Sequence, residues 1–239
     1  MSVAAGSRQL LRWHLYPDVA ALHAAAVRAI TRIAREAVSE RGAFHVVLAG
    51  GGTPRALYAQ LPAVDANWGA WHVYFGDERC LPEDHPERNS VMAFETFLNQ
   101  VPVPAGQIFT VACAQGAAVA AQAYAARIKG VGDFDLVLLG IGEDGHTASL
   151  FPGAEWGTGE RDPAVFAVDN APKPPPQRVT LSARRLSAAR VVMVFVAGAA
   201  KRAALAAWRS GVELPIGAIR PGSGVDVLVD PQAWSIEPF

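Results

Sequence analysis

The 239-residue chain is short of cysteine, of any excess of one charge and of long apolar runs, and each shortage removes a class of protein. Only Cys80 and Cys113 are present, too few for a disulfide framework, so a reducing compartment is the simplest setting. Neither lies in a C-x-x-C, and the six histidines form no H-x-H or H-E-x-x-H, so no metal site is expected. The 21 Lys and Arg residues balance 22 Asp and Glu without a basic stripe, and nucleic acid is not an expected partner. The longest apolar run, Val191 to Ala200, is ten residues and halts at Lys201, against the roughly 20 that a membrane helix needs. The first residues carry arginines but no apolar segment followed by a small-residue cleavage site, so no secretory leader and no membrane partner are expected, and the expected location is cytoplasmic. G-x-x-x-x-G-K-[ST], G-x-G-x-x-G and G-x-S-x-G are all missing, which leaves neither a nucleotide cradle nor a serine-hydrolase elbow.

What is present describes a packed globule: 51% hydrophobic residues and 18% charged ones, far from the signature of disorder. Length and the lack of internal repeats predict one domain over 1–239. Apolar spacing predicts helices over Asp18 to Arg41, Pro54 to Leu61, Ser90 to Leu98, Ala117 to Ile128 and Lys201 to Trp208. Short continuous apolar runs predict strands at Val46 to Ala49, His72 to Phe75, Leu136 to Leu139, Val179 to Leu181, Val191 to Val196 and Val225 to Val229. Strands alternating with helices imply an α/β fold with a mostly parallel sheet covered on both faces.

Ligands of such sheets bind beyond the carboxyl ends of the strands. Four predicted strand ends are followed by Gly50-Gly51-Gly52-Thr53-Pro54, by Gly76-Asp77-Glu78-Arg79, by Gly140-Ile141-Gly142-Glu143-Asp144-Gly145-His146, and by Gly198 with Lys201. The glycine loop leading into Pro54 either turns tightly into a helix or presents free N–H groups to an anion. Arg79 and Lys201 favour the second, since fixed cations with backbone donors match a phosphate monoester. His146 is the histidine placed to titrate near neutral pH at a strand end. Asp144 either orients and charges its ring or caps the following turn. Cys80 reads as an inert half-buried thiol, and Ser149 as a weak nucleophile candidate.

These motifs, in this order and across nearly the whole chain, resemble the 6-phosphogluconolactonase family within the glucosamine-6-phosphate isomerase/deaminase-like fold. The resemblance also covers Thr147 to Gly153 and Arg178-Val179-Thr180-Leu181-Ser182. It implies a three-layer α/β/α architecture, a modified Rossmann-like arrangement, and hydrolysis of a sugar-phosphate lactone without a cofactor. It makes His146 the general base with Asp144 its acidic neighbour. Gly51, Gly52, Thr53, Asp77, Arg79 and Lys201 become substrate and phosphate ligands, and Arg178 lines the site. Serine often stands in the family where Gly52 does here, and Ser-Asn where this chain has Arg88-Asn89. The related deaminases carry a Glu where Phe151 stands, which argues against amino-sugar deamination. A sugar-phosphate sensor on the same fold is the rival from another class, and the chain is expected to be a monomer or small homo-oligomer. Pro172 to Gln177 is left as a mobile lid or a rigid rim.

Overall fold

Apolar side chains on both faces of every central strand require a layer of helices on each side. A computed structural model describes residues 9–234, and the reading of the segment before residue 9 lies outside it. The chain runs β1 (Leu11–Leu15), α1 (Val19–Arg41), β2 (Phe44–Leu48), α2 (Gly52–Tyr58), β3 (Trp71–Phe75), β4 (Asp77–Arg79), α3 (Asn89–Thr96) and β5 (Ile108–Phe109). It continues through α4 (Ala117–Ile128), β6 (Phe134–Gly140), β7 (Val165–Val168), β8 (Arg178–Leu181), α5 (Ala183–Ser187), β9 (Ala189–Val196), α6 (Arg202–Arg209) and β10 (Val225–Val229). Seven strands form one sheet in the order β1-β10-β9-β6-β2-β3-β5, and every neighbouring pair in it is parallel.

Alternation along the strands sorts the core into two. Leu136 and Leu138 pack with Leu22, Ile30 and Ile33 of α1, Leu57 of α2 and Met92 of α3. Val137 and Leu139 pack on the other face with Tyr124 of α4, Leu186 of α5, and Leu205 and Trp208 of α6. α1 starts where the Asp18 side chain accepts the Ala21 N–H at 2.7 Å, and it stops at Gly42 in a left-handed conformation.

Two expectations are corrected. The apolar run at Val179 to Leu181 belongs not to the parallel sheet but to a small antiparallel one, β4-β8-β7, because Gly76 turns the chain out of β3 into β4 and β8 pairs with it. The predicted strands begin at Val46, whereas the chain has an earlier strand, β1, ahead of the long helix. β1 is an edge strand whose residues are half-buried or exposed, so it lacks the continuous apolar run of a central strand. Among the described residues no helix is long and apolar enough to cross a membrane.

The strand order reverses between β2 and β6: the chain steps outward from β2 to β3 and β5 on one side, and from β6 to β9 and β10 on the other. Loops leaving neighbouring strands in opposite directions open a crevice between them.

Candidate active site

That crevice is lined by Gly50 to Pro54 after β2, Gly76, Asp77 and Arg79 after β3, Gly140 to Gly142 and His146 after β6, and Ala197 and Lys201 after β9. Asn89 at the start of α3 and Arg178 of β8 complete its wall. All the expected ligands therefore meet in one cleft: Gly51, Gly52, Thr53, Asp77, Arg79, Arg178 and Lys201, with His146 among them. Asp144 stands behind His146 rather than in the lining, its Oδ1 2.5 Å from Nδ1 of the ring.

The loop after β6 is folded to present the imidazole. Gly142 N–H donates to His146 O at 2.7 Å, Gly145 N–H to Gly142 O at 3.0 Å, and Thr147 Oγ1 to Gly140 O at 2.9 Å. A Cβ on Gly142 would lie 2.0 Å from His146 Nδ1, so only glycine lets the ring lie against this backbone. A carboxylate only accepts, so the neutral ring carries its proton on Nδ1 and keeps the Nε2 lone pair for other work. Phe151, the position that argued against a deaminase, sets its ring 5.0 Å from the imidazole and is 4% exposed. It forms an apolar wall. Burial pushes the His146 pKa down, Asp144 pulls it up, Lys173 pushes it down again, and the net lies below the ordinary histidine value. Burial pushes the Asp144 carboxyl up, but the His146 hydrogen bond and the nearby positive charges win and hold it below the usual carboxylate range.

Strand alternation divides Asp77-Glu78-Arg79. Asp77 and Arg79 face the cleft, whereas Glu78 is fully buried and accepts the N–H groups of Asn89 and Ser90 at 2.7 and 2.9 Å, capping α3. Arg88, where the family often has serine, is turned inward: its Nη2 donates to Val111 O at 2.6 Å and its Nε lies 3.5 Å from Glu78. Asn89 keeps a place in the cleft, donating to Asp77 Oδ1 at 3.0 Å. The Ser149 hydroxyl donates to Asp77 Oδ2 at 2.6 Å and is buried, a supporting contact and not a poised nucleophile. Cys80 rests against Cys113, whose hydrogen bond lowers its pKa, while the Cys113 thiol is pushed up.

Several positioning groups carry no local sequence signal. The buried Tyr58 hydroxyl donates to Ala49 O at 3.0 Å and accepts its N–H at 2.9 Å. Tyr124 does the same at Phe75, at 3.0 and 2.9 Å. Asp230 accepts the Gly198 N–H at 3.1 Å, fixing the turn that delivers Lys201. A tyrosine in an apolar stretch reads as core, and only the fold shows that its hydroxyl finishes a strand.

The family model described as "Glucosamine-6-phosphate isomerases/6-phosphogluconolactonase" matches residues 17–228. The chain is 37% identical over 213 residues to the "6-phosphogluconolactonase" of Mycobacterium tuberculosis, covering 83% of this chain and 86% of that one. It is 38% identical over 184 residues to the "Probable 6-phosphogluconolactonase 4, chloroplastic" of Oryza sativa subsp. indica, covering 70% of this chain but only 56% of that longer one. Thus it spans little more than half of the plant relative. A crystal structure of 6-phosphogluconolactonase from Thermotoga maritima superposes with a TM-score of 0.85 at 28% identity, over 92% of this chain and 99% of that one.

Proposed function

This chain belongs to the glucosamine-6-phosphate isomerase/6-phosphogluconolactonase family, and from that premise we propose that it hydrolyses 6-phospho-D-glucono-1,5-lactone to 6-phospho-D-gluconate in the oxidative pentose phosphate pathway. One observation supports the reading above the others. A neutral histidine oriented by Asp144 shares its cleft with a glycine loop, Arg79 and Lys201, so a base and an anion-binding end face the same ligand.

A δ-lactone is an activated ester, and a positioned base suffices to open it. His146 Nε2 takes a proton from water as the water oxygen bonds to C1, and the carbonyl oxygen becomes the oxyanion. Collapse breaks the bond from C1 to the ring oxygen. His146 returns its proton to that oxygen, which leaves as the C5 hydroxyl. Asp144 holds Nδ1–H throughout and stabilises the transient imidazolium. General-base catalysis of this kind contributes roughly 10²–10⁴-fold. The Gly51 to Thr53 loop, Arg79 and Lys201 bind the phosphate, and that remote binding energy orients C1 over the base.

The test is disappearance of the lactone, generated in situ, in buffer alone, with native protein and with His146→Ala, all in EDTA. Native protein should accelerate hydrolysis in chelator, and His146→Ala should lose roughly 10²-fold or more of kcat. A native rate no faster than buffer would reject the lactonase reading.

A further inference from the structure

Arg178 directs its Nε and Nη2 donors at the segment in front of it, while Nη1 lies 3.5 Å from Ser149 Oγ. Its Nε donates to Pro175 O at 3.1 Å, and its Nη2 to Lys173 O and Pro174 O, both at 3.0 Å. Ala171 N–H closes the segment on Pro176 O at 2.9 Å. Arg178 is 5% exposed, and a buried guanidinium demands acceptors. Residues 171–176 are therefore held as a strap in front of Arg178, which itself lines the cleft. The strap's one charged side chain reaches the reacting end. Lys173 Nζ lies 3.6 Å from Asp144 Oδ1, the oxygen that also meets His146 Nδ1.

We propose that Lys173 is a positioning residue for the base: anchored through Arg178, its ammonium shares the Asp144 carboxylate and keeps His146 neutral and ready to accept a proton. The proposal deepens the lactonase reading and rests on it for its kinetic test. Alone, a carboxylate against an imidazole draws a proton onto the ring and spoils it as a base at slightly acid pH. A cation on the same oxygen offsets that pull. The charged groups that act most on the ring are Asp144 from its own loop, Lys173 from the strap and Asp77 from β4; the two acids favour imidazolium and the lysine opposes it, and Arg79 of β4, Arg178 of β8 and Lys201 after β9 line the same cleft. Phe151, with the Arg178 guanidinium 5.6 Å over its face, packs against the ring. The Lys173 side chain is 42% exposed, so its influence is modest and is screened by salt.

The experiment follows the His146 imidazole by NMR across pH, together with the acid limb of kcat/KM, in native protein, Lys173→Met, Lys173→Arg and Arg178→Lys. Lys173→Met should move both the ring titration and the acid limb to higher pH, by roughly 0.3–0.7 pH for a cation a few ångströms away in a half-exposed setting. Arg178→Lys keeps the charge but not the fork that grips three carbonyls, and it should move both the same way. Lys173→Arg should restore the native values, and molar salt should shift the native protein toward Lys173→Met. Identical titrations in native protein and Lys173→Met overturn the proposal. So does a fall in kcat with an unmoved limb, which is what a purely structural strap would give. If the native protein fails to hydrolyse the lactone, the functional reading falls, and the NMR titration alone still decides whether Lys173 controls the ring.

Discussion

Asp144 and Lys173 press on the same imidazole with opposite sign, so variants at the two positions must move the pH profile in opposite directions. Asp144 raises the His146 pKa by hydrogen bond and by charge. In Asp144→Asn both effects weaken, the ring becomes less basic, and the acid limb of kcat/KM should move to lower pH. The amide no longer enforces the Nδ1–H tautomer, and kcat should fall within the roughly 10²–10⁴-fold that a general base supplies. A stopped assay from pH 5 to pH 8 checks this, and a limb displaced upward would contradict the assigned pairing. At this scale much of the cleft was legible, because glycines, an acid, a histidine and cations follow apolar runs in the sequence. Lys173 and Asp230 were not. Their roles come from an oxygen or an N–H brought near by the fold: the proline-rich stretch around Lys173 marks a loop but not the carboxylate its ammonium meets, and Asp230 only follows an apolar strand.

Each central strand that ends at the cleft must give up its ladder where the loop departs, and two tyrosines satisfy the backbone there. Tyr58 serves Ala49 after β2, and Tyr124 serves Phe75 at the end of β3. Tyr58→Phe keeps the ring but leaves the Ala49 N–H and C=O without that partner inside the protein. We expect a loss of about 1–3 kcal/mol in urea unfolding and a raised KM, since the glycine loop begins at the next residue. Unchanged unfolding would mean that the backbone pair finds another partner. The same scale shows which elements a sequence reveals. β2, β3, β6, β9 and β10 are mostly apolar, each interrupted only near its start by His45, His72, Asp135, Arg190 or Asp226, because helices cover both their faces. β5 is two residues long, β7 is half-buried and β1 lies at the sheet edge, so none carries that signal. β4 hid for another reason: its residues read as a charged loop, and only pairing with β8 makes them a strand.

For the whole molecule, the histidines set a direction for stability against pH. Burial lowers the pKa of His23, His45, His72 and His146 below the ordinary value of 6.5. Below pH 6.5 the unfolded chain therefore binds protons that the folded chain refuses, and stability falls with pH until each folded pKa is passed; above 6.5 these groups contribute no slope. The limiting slope is about 1.4 kcal/mol per pH for each such proton, and one kcal/mol corresponds to roughly 2–4 °C in Tm for a chain of this size. The lowered carboxyls of Asp144 and Asp226 titrate below their ordinary value of 3.8, outside this interval. His23 is the cleanest contributor: it is 7% exposed, its Nε2 has no hydrogen-bond partner among the described residues, and desolvation alone shifts it. Melting curves from pH 7.5 to pH 5.5 should show Tm falling below pH 6.5, with a smaller fall in His23→Leu. A flat Tm in the native protein would mean that these rings reach solvent when charged. The acid limb of catalysis occupies the same interval, and the two separate by variant: His23→Leu flattens the melting profile and leaves the kcat/KM limb in place, because His23 lies on α1 and outside the cleft lining.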